Sequence, residues 1–241
     1  MNGPDQGEMY RAGRPALGAR LLAAVEAVRP GRKVADIGCD HGKLAVWLAL
    51  AGAPLVTAVD SRPMPLEKAK ALVRQCGLEG KVRCLLGNGL GPVAPEDAED
   101  IVIAGLGGEV TAGILSAAPW LRDARFRLVL VPTSRHPHLR RWLSESGFAL
   151  LGETPVLEKG RPYTVMRAAF TGEAAVPTGL FCQVGLVPRA FEDGDEKTKK
   201  AAGAYLNARL AALEKAGRAP MDPPARAAHE SLVKELEACL L

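Results

Sequence analysis

The stretch Val34-Ala35-Asp36-Ile37-Gly38-Cys39-Asp40-His41-Gly42-Lys43-Leu44 decides the fold. An apolar run ends in an acid, a glycine-bearing turn follows, and an apolar helical pattern starts at Leu44. That order predicts a strand over Lys33–Gly38, a tight loop, and a helix over Leu44–Ala51. Such a junction presents unpaired backbone N–H groups and the positive end of a helix dipole to whatever enters it. Glycine at 38 and 42 removes side chains that would hold a ligand away from the backbone.

The pattern repeats along the chain. Helical spacing of Leu17, Leu21, Leu22 and Val25 predicts a helix over Pro15–Val28 that ends at Pro30-Gly31, after a loose leader over residues 1–14. Further strands are predicted at Leu55–Asp60, Val82–Leu86, Ile101–Leu106 and Leu128–Val131. Helices are predicted at Pro63–Cys76, Gly108–Ala118 and His138–Ser146. Strands alternating with helices make a parallel sheet covered on both faces. The runs Phe148–Leu151 and Tyr163–Phe170 have no helix between them, only the turn Glu158-Lys159-Gly160-Arg161-Pro162. They predict a β-hairpin that closes the sheet with one antiparallel strand. After Thr171-Gly172 a connector runs through Pro177 and Pro188 to a charged stretch, Glu192–Lys200. Two amphipathic helices follow, Ala201–Ala216 and Arg226–Leu241, broken by Pro220–Pro224 and read as an antiparallel hairpin. The expected division is a nucleotide-binding type α/β domain over 1–172 and a helical appendage over 173–241.

Bulk composition sets limits. With 241 residues and 48% hydrophobic content, the chain can bury a sizeable core and is not a disordered segment. A net charge of +4 permits an anionic partner without requiring one. The 5 cysteines are scattered with no C-x-x-C pair, which argues for reduced thiols and against a zinc site. No apolar run reaches the roughly 18 residues that a membrane span needs. The N-terminus carries no apolar signal core, so the expected location is cytoplasmic.

In a sheet of this type ligands sit beyond the carboxyl ends of the strands. The unusual polar clusters all fall there: Asp36–Gly42, Asp60-Ser61, Gly87-Asn88-Gly89, Gly105-Leu106-Gly107-Gly108 and Pro132-Thr133-Ser134-Arg135-His136. Asp60 at the second strand end can accept hydrogen bonds from both hydroxyls of a ribose, with Ser61 beside it. Asn88 offers an amide to an adenine edge, and Gly89 and Gly105 allow close backbone approach. Arg135 and His136 are candidates for binding phosphate or stacking on a base.

The spacing Asp36-x-Gly38-x-Asp40-x-Gly42 resembles the acid-x-Gly-x-Gly-x-Gly loop of S-adenosylmethionine (SAM) methyltransferases, with Asp40 in the place of the middle glycine. Those enzymes also end in a β-hairpin, whereas dinucleotide dehydrogenases keep alternating strands and helices. Together with Gly87-Asn-Gly-Leu90 and Ile103-Ala-Gly-Leu-Gly-Gly108, the loop resembles the bacterial tRNA (adenine-22-N1)-methyltransferase family over about residues 15–170. The run Leu139-Arg-Arg-Trp-Leu143 and Gly147, Phe148, Glu153 and Tyr163 follow the same pattern. The chain departs from the family at Val131-Pro132-Thr133, where Gln-Pro-Asn is usual, at Asn88 for Asp, and at Cys39 for Ser or Thr.

The resemblance implies an α/β, Rossmann-like class I methyltransferase sheet plus a C-terminal helical hairpin. It implies SAM as cofactor and tRNA as partner, with no metal and no membrane, in a monomer or weak homo-oligomer. SAM is expected to lie against Asp36, Gly38, Cys39, Asp60, Ser61, Asn88, Gly89 and Gly105. The substrate is expected near Thr133, Arg135 and His136. Asp40 and His41 are the expected catalytic pair, with the carboxylate stabilising the cationic product base. The C-terminal hairpin and the basic positions Arg11, Arg14, Arg20, Arg29, Arg32 and Lys33 are candidate RNA-gripping surfaces. Two rival readings keep the cofactor: a methyltransferase for a small molecule, and a catalytically silent SAM- or RNA-binding protein.

Overall fold

The structure, a computed structural model, describes residues 14–241. Arg11 and all but the last residue of the expected leader lie outside the described residues. Helix α1 (Ala19–Ala27) precedes β1 (Val34–Ile37), α2 (Lys43–Leu50), β2 (Val56–Asp60), α3 (Pro63–Gln75) and β3 (Val82–Leu86). Then come β4 (Asp100–Ala104), α4 (Gly108–Ser116), β5 (Arg127–Val131) and α5 (His136–Glu145). The hairpin β6 (Phe148–Glu158) and β7 (Arg161–Phe170) follows, and α6 (Gly179–Val184), α7 (Val187–Asp193), α8 (Glu196–Ala216) and α9 (Pro223–Ala238) complete the chain.

The seven strands form one sheet in the order β3-β2-β1-β4-β5-β7-β6. β1 to β5 pair in parallel, and β7 runs antiparallel to both β5 and β6. Alternation of side chains divides the core. Val34, Val56, Val102 and Val129 meet α1, α2 and α3 on one face. Ala35, Ile37, Ile101, Ile103, Leu128 and Leu130 meet α4 and α5 on the other. Each buried Val, Leu or Ile among them contributes about 1.5–3 kcal/mol, which explains why the inner strands are apolar on both sides.

Several expectations need correction. The first helix begins at Ala19 rather than Pro15, because the carboxylate of Glu158 in β6 accepts the Arg20 N–H at 3.0 Å and so closes the helix N-terminus. The hairpin ladder is longer than the apolar runs suggested. Glu158 pairs with Arg161, and the turn shrinks to Lys159-Gly160, both at positive φ, the geometry that suits a two-residue hairpin. The connector after Gly172 holds α6 and α7, and α8 takes in part of the charged stretch because Asp195 caps it through the Thr198 N–H at 2.8 Å. Pro223 and Pro224 likewise start α9 rather than break a helix.

The C-terminal helices pack on a core of Val184, Val187, Tyr205, Leu206, Leu213 and Leu236. They join the sheet through a buried ionic cluster. Arg140 of α5, wholly buried, donates to Glu153 Oε1 at 2.8 Å, to the carbonyls of Cys182 and Gln183, and to the Tyr205 hydroxyl at 2.8 Å. Glu153 also accepts the Leu186 N–H at 2.7 Å and the Thr164 hydroxyl at 3.2 Å. Burial works against the Arg140 charge, but the facing Glu153 carboxylate raises its pKa above the ordinary arginine value.

The basic positions before β1 are largely used inside the fold. Arg29 donates to the buried Asp100 and to the carbonyls of Glu99 and Arg125. Arg32 pairs with Glu99 at 2.6 Å, and Lys33 donates to the Glu96 carbonyl. Among the described residues no helix is long and apolar enough to cross a membrane, and no cluster of His, Cys, Asp or Glu could hold a metal ion.

Candidate active site

The loop between β1 and α2 is fixed by its neighbour strand. The N–H groups of Gly38 and Cys39 both donate to the Val59 carbonyl, at 2.8 and 2.9 Å. Gly38, Asp40 and Gly42 all have positive φ, and Asp is one of the few side-chain-bearing residues that tolerates this. A Cβ on Gly42 would stand 2.8 Å from the Ala69 side chain, so α3 packs directly on the loop. The Asp40 N–H donates to Asp60 Oδ2 at 2.9 Å, which ties the loop to the end of β2.

Two cavities open at the carboxyl edge of the sheet. The larger, of about 460 Å³, is lined by Asp36, Gly38, Cys39, Asp40, His41 and Gly105 among others. The second, of about 330 Å³, is lined by Asp60, Ser61, Asn88 and Gly89, with Val110 and Ile114 of α4 closing it. Gly38, Arg62 and Leu106 line both, so the two cavities are adjoining halves of one cleft. Every expected cofactor-binding position and both expected catalytic residues therefore lie on this cleft.

Asp36 is 2% exposed and its Oδ2 has no hydrogen-bond partner. Burial pushes its carboxyl up to about 7; the Ala45 N–H at the start of α2 opposes this and the Asp60 charge adds to it. Asp60 differs. Burial works to raise its pKa, but the Arg62 and Asp40 N–H groups and the Arg62 guanidinium outweigh that and hold it below the ordinary carboxylate value. The two acids therefore stand ready for different partners. Asp60 is ionised and oriented, whereas Asp36 keeps an unsatisfied oxygen that a cation would satisfy.

Asp40 stands half exposed at the mouth. His41 Nδ1 lies 2.6 Å from its Oδ2, and Arg62 Nη2 lies 3.2 Å from its Oδ1. Cys39 is buried and its thiol is pushed up, first by that burial and then by Asp36, so it is not a nucleophile. Gly105 has φ +97° with nothing near its would-be Cβ, which leaves backbone open to the cleft.

The substrate-side expectations fare differently. Thr133 and Arg135 are exposed on the turn after β5, where the Thr133 N–H donates to the Leu106 carbonyl at 2.9 Å and Arg135 pairs loosely with Glu109. His136 does not fit a base-contacting role. Its ring faces Tyr205 of α8 at 5.6 Å, its Nε2 is closed off, and burial together with Arg140 and Arg209 pulls it down to about 3. It is a neutral residue of the interface with the helical appendage.

Two arginines were given no place in the cleft by the sequence reading. Arg62 carried no motif, since it follows the strand-end acid as an ordinary residue before Pro63. Arg20 read as part of an outer basic face, but it lines the larger cavity, held by Glu158 at 3.4 Å and stacked on Tyr163 at 5.1 Å.

Gly108 starts α4 under the turn after β5, and a Cβ there would collide with the Arg135 carbonyl oxygen. Gly108→Ala is expected to lower stability by about 1–3 kcal/mol, read as a fall in thermal midpoint. An unchanged midpoint would show that the turn gives way freely.

Comparison with known proteins agrees with this geometry. A family model described as a methyltransferase domain matches residues 17–166. The tRNA (adenine(22)-N(1))-methyltransferase of Bacillus subtilis is 31% identical over 179 residues, which cover 73% of this chain and 74% of that protein. A ribosomal protein L11 methyltransferase of Pelotomaculum thermopropionicum is 36% identical over 115 residues, covering 47% of this chain and 37% of that protein. Among solved structures, the B. subtilis m1A22 tRNA methyltransferase superposes with a TM-score of 0.77 at 25% identity, covering 94% of this chain and 99% of that one. TrmK of M. capricolum, solved with S-adenosylhomocysteine (SAH), shares the fold with a TM-score of 0.74 at 19% identity, covering 93% of this chain and 97% of that one.

Proposed function

Since this chain belongs to the tRNA (adenine(22)-N(1))-methyltransferase family, we propose that it transfers a methyl group from SAM to N1 of an adenine in tRNA, at position 22. The observation that carries the reading is the two-part cleft with Asp36 and Asp60 in different electrostatic states. The residues present fit the cofactor. A buried carboxylate oxygen without a partner meets the larger cavity, and the other acid is ionised at the second. When bound, SAM supplies an electrophilic methyl group on a positively charged sulfur.

Asp60 accepts the ribose hydroxyls and Asn88 meets the adenine edge, with Ser61 and Gly89 beside them. Asp36 takes the ammonium end, where Gly38, Cys39 and Gly105 allow close approach. Arg20, which lines the same cavity, would take the carboxylate. N1 of neutral adenine already carries an in-plane lone pair, so no residue has to remove a proton before attack. The methylated ring is cationic, and the Asp40 carboxylate, oriented by His41, stabilises that charge as it develops. Positioning supplies most of the remaining acceleration. N1 lies on the Watson–Crick edge, so the target base enters unpaired. Thr133 and Arg135 stand on the turn nearest Leu106 and border the base. Residues 1–172 form the catalytic unit in this reading, and 173–241 a helical appendage that meets tRNA by backbone and shape.

The test is incubation with labelled SAM and mixed tRNA, followed by nucleoside mass spectrometry. The expected product is 1-methyladenosine. SAM binding with no such product would leave a silent binding protein, and methylation of small molecules alone would move the activity to another substrate class. Within the site, Asp60→Ala is expected to weaken SAM binding about 10²-fold through loss of two charge-assisted hydrogen bonds. Asp40→Asn keeps a residue that tolerates the left-handed backbone, and is expected to slow transfer about 10²-fold while SAM still binds. Loss of SAM binding in Asp40→Asn would remove the catalytic assignment.

A further inference from the structure

Arg62 occupies an unusual place. Among the described residues it is the one basic side chain lining both cavities, and it bridges an acid of each, with Nε 3.3 Å from Asp60 Oδ1 and Nη2 3.2 Å from Asp40 Oδ1. Its side chain is 65% exposed, so the bridge is at the cleft mouth, where ion pairs hold weakly.

The contacts on Asp60 are of two kinds. The Arg62 N–H and the Asp40 N–H donate at 2.9 Å each, one to each carboxylate oxygen, and both are fixed by the backbone. The Arg62 guanidinium contact is the longer and the removable one. A ribose diol needs the acceptor positions that the backbone leaves open. Occupancy by a nucleoside therefore competes with Arg62 for Oδ1 and leaves the backbone contacts in place. Once displaced, the guanidinium keeps only Asp40 as partner and faces solvent beside His41 with its charge less neutralised. A target base brought to Asp40 and His41 at the mouth carries its phosphates past Arg62, and a guanidinium is suited to grip a phosphate through paired N–H donors.

We propose that Arg62 is an RNA-phosphate contact whose availability depends on the cofactor, so that SAM or SAH in the cleft releases it from Asp60 to hold the target nucleotide. The proposal rests on the tRNA-methyltransferase reading above. It couples cofactor and tRNA binding so that each tightens the other, and assigns a positioning role in substrate binding to a residue that touches no reacting atom.

The test compares tRNA affinity of the full chain with and without saturating SAH, across a salt series, for wild type, Arg62→Ala and Arg62→Lys. Wild type is expected to bind tRNA about tenfold tighter with SAH. The slope of log K against log salt should steepen by about 1. Arg62→Ala should bind like wild type without SAH and gain nothing when SAH is added. Arg62→Lys should keep part of the gain. SAH affinity in the absence of RNA should be unchanged or tighter in Arg62→Ala, because a competitor for Asp60 is gone. A variant that still tightens with SAH, a wild type with no SAH effect, or an Arg62→Ala that loses SAH binding would each overturn the proposal. The methylation assay on the same tRNA separates this from failure of the underlying reading, which would show as absent 1-methyladenosine in wild type.

Discussion

Asp36→Asn is expected to make the protein more stable above neutral pH while weakening its hold on SAM. Burial pushes the folded carboxyl up to about 7, well above the ordinary carboxylate value, so the folded state keeps this proton over a range where the unfolded chain has lost it. The unfolded chain therefore binds fewer protons, and stability falls as pH rises from about 4 to about 7 and stays low beyond. The shift corresponds to at most about 4 kcal/mol at pH 8. Asn cannot ionise, so that loss disappears, and its amide can meet water in the cavity that the Asp36 side chain lines. Melting curves at pH 5 and pH 8 test this. Wild type should lose several degrees between them from this group, and the variant should not. Calorimetry should show SAM binding weakened at least tenfold in Asp36→Asn. A pH 5-to-8 difference of equal size in both proteins would show that Asp36 does not carry it. Saturating SAM should also flatten the wild-type slope, because an ammonium beside the carboxylate favours its ionised form.

The second large effect is at the joint between sheet and appendage. Glu153→Ala leaves the Arg140 guanidinium buried without its counter-charge and removes the acceptor of the Leu186 N–H. Breaking such a pair from one side costs about 3–5 kcal/mol, equivalent to a fall of about 10 °C in thermal midpoint for a chain of this size. Replacing both partners, Arg140→Met with Glu153→Leu, is expected to recover much of the loss, because no charge is then stranded. If the double variant is as unstable as the single one, the carbonyl and hydroxyl contacts of Arg140, not the ion pair, hold the joint. Limited proteolysis should cut Glu153→Ala first in the segment before α6, since that segment runs to the helices the pair anchors.

Much of this was legible in the sequence because strand ends announce themselves. An apolar run stopping at Asp36, Asp60 or Gly105 fixes where the sheet's carboxyl edge lies, and that edge is where the cleft opens. The hairpin was legible from the missing helix between Phe148 and Phe170. What stayed hidden depends on where a side chain points after tertiary packing. His136 reads as a polar residue at a strand end, yet α8 covers it, and nothing within five residues of His136 says so. Arg29 and Arg20 lie on one short helix region and look alike in sequence. One is consumed by Asp100, far along the chain, and the other lines the cleft because Glu158 and Tyr163 hold it there. The start of α1 is hidden in the sequence for the same reason, since its closing group is a carboxylate on β6.

The place of β7 has a consequence for how the chain reaches this state. β7 is the last strand made, yet it sits between β5 and β6. Until residues 161–170 have been synthesised, the outer backbone groups of β5 have nothing to pair with. A nascent or truncated chain ending earlier presents an open, apolar strand edge, the kind that recruits other chains. Closure of the sheet therefore needs both strands of the hairpin, the same two strands on which α8 packs. Chains cut before Arg161 should aggregate, whereas chains cut after Gly172 should remain soluble enough to show a closed sheet.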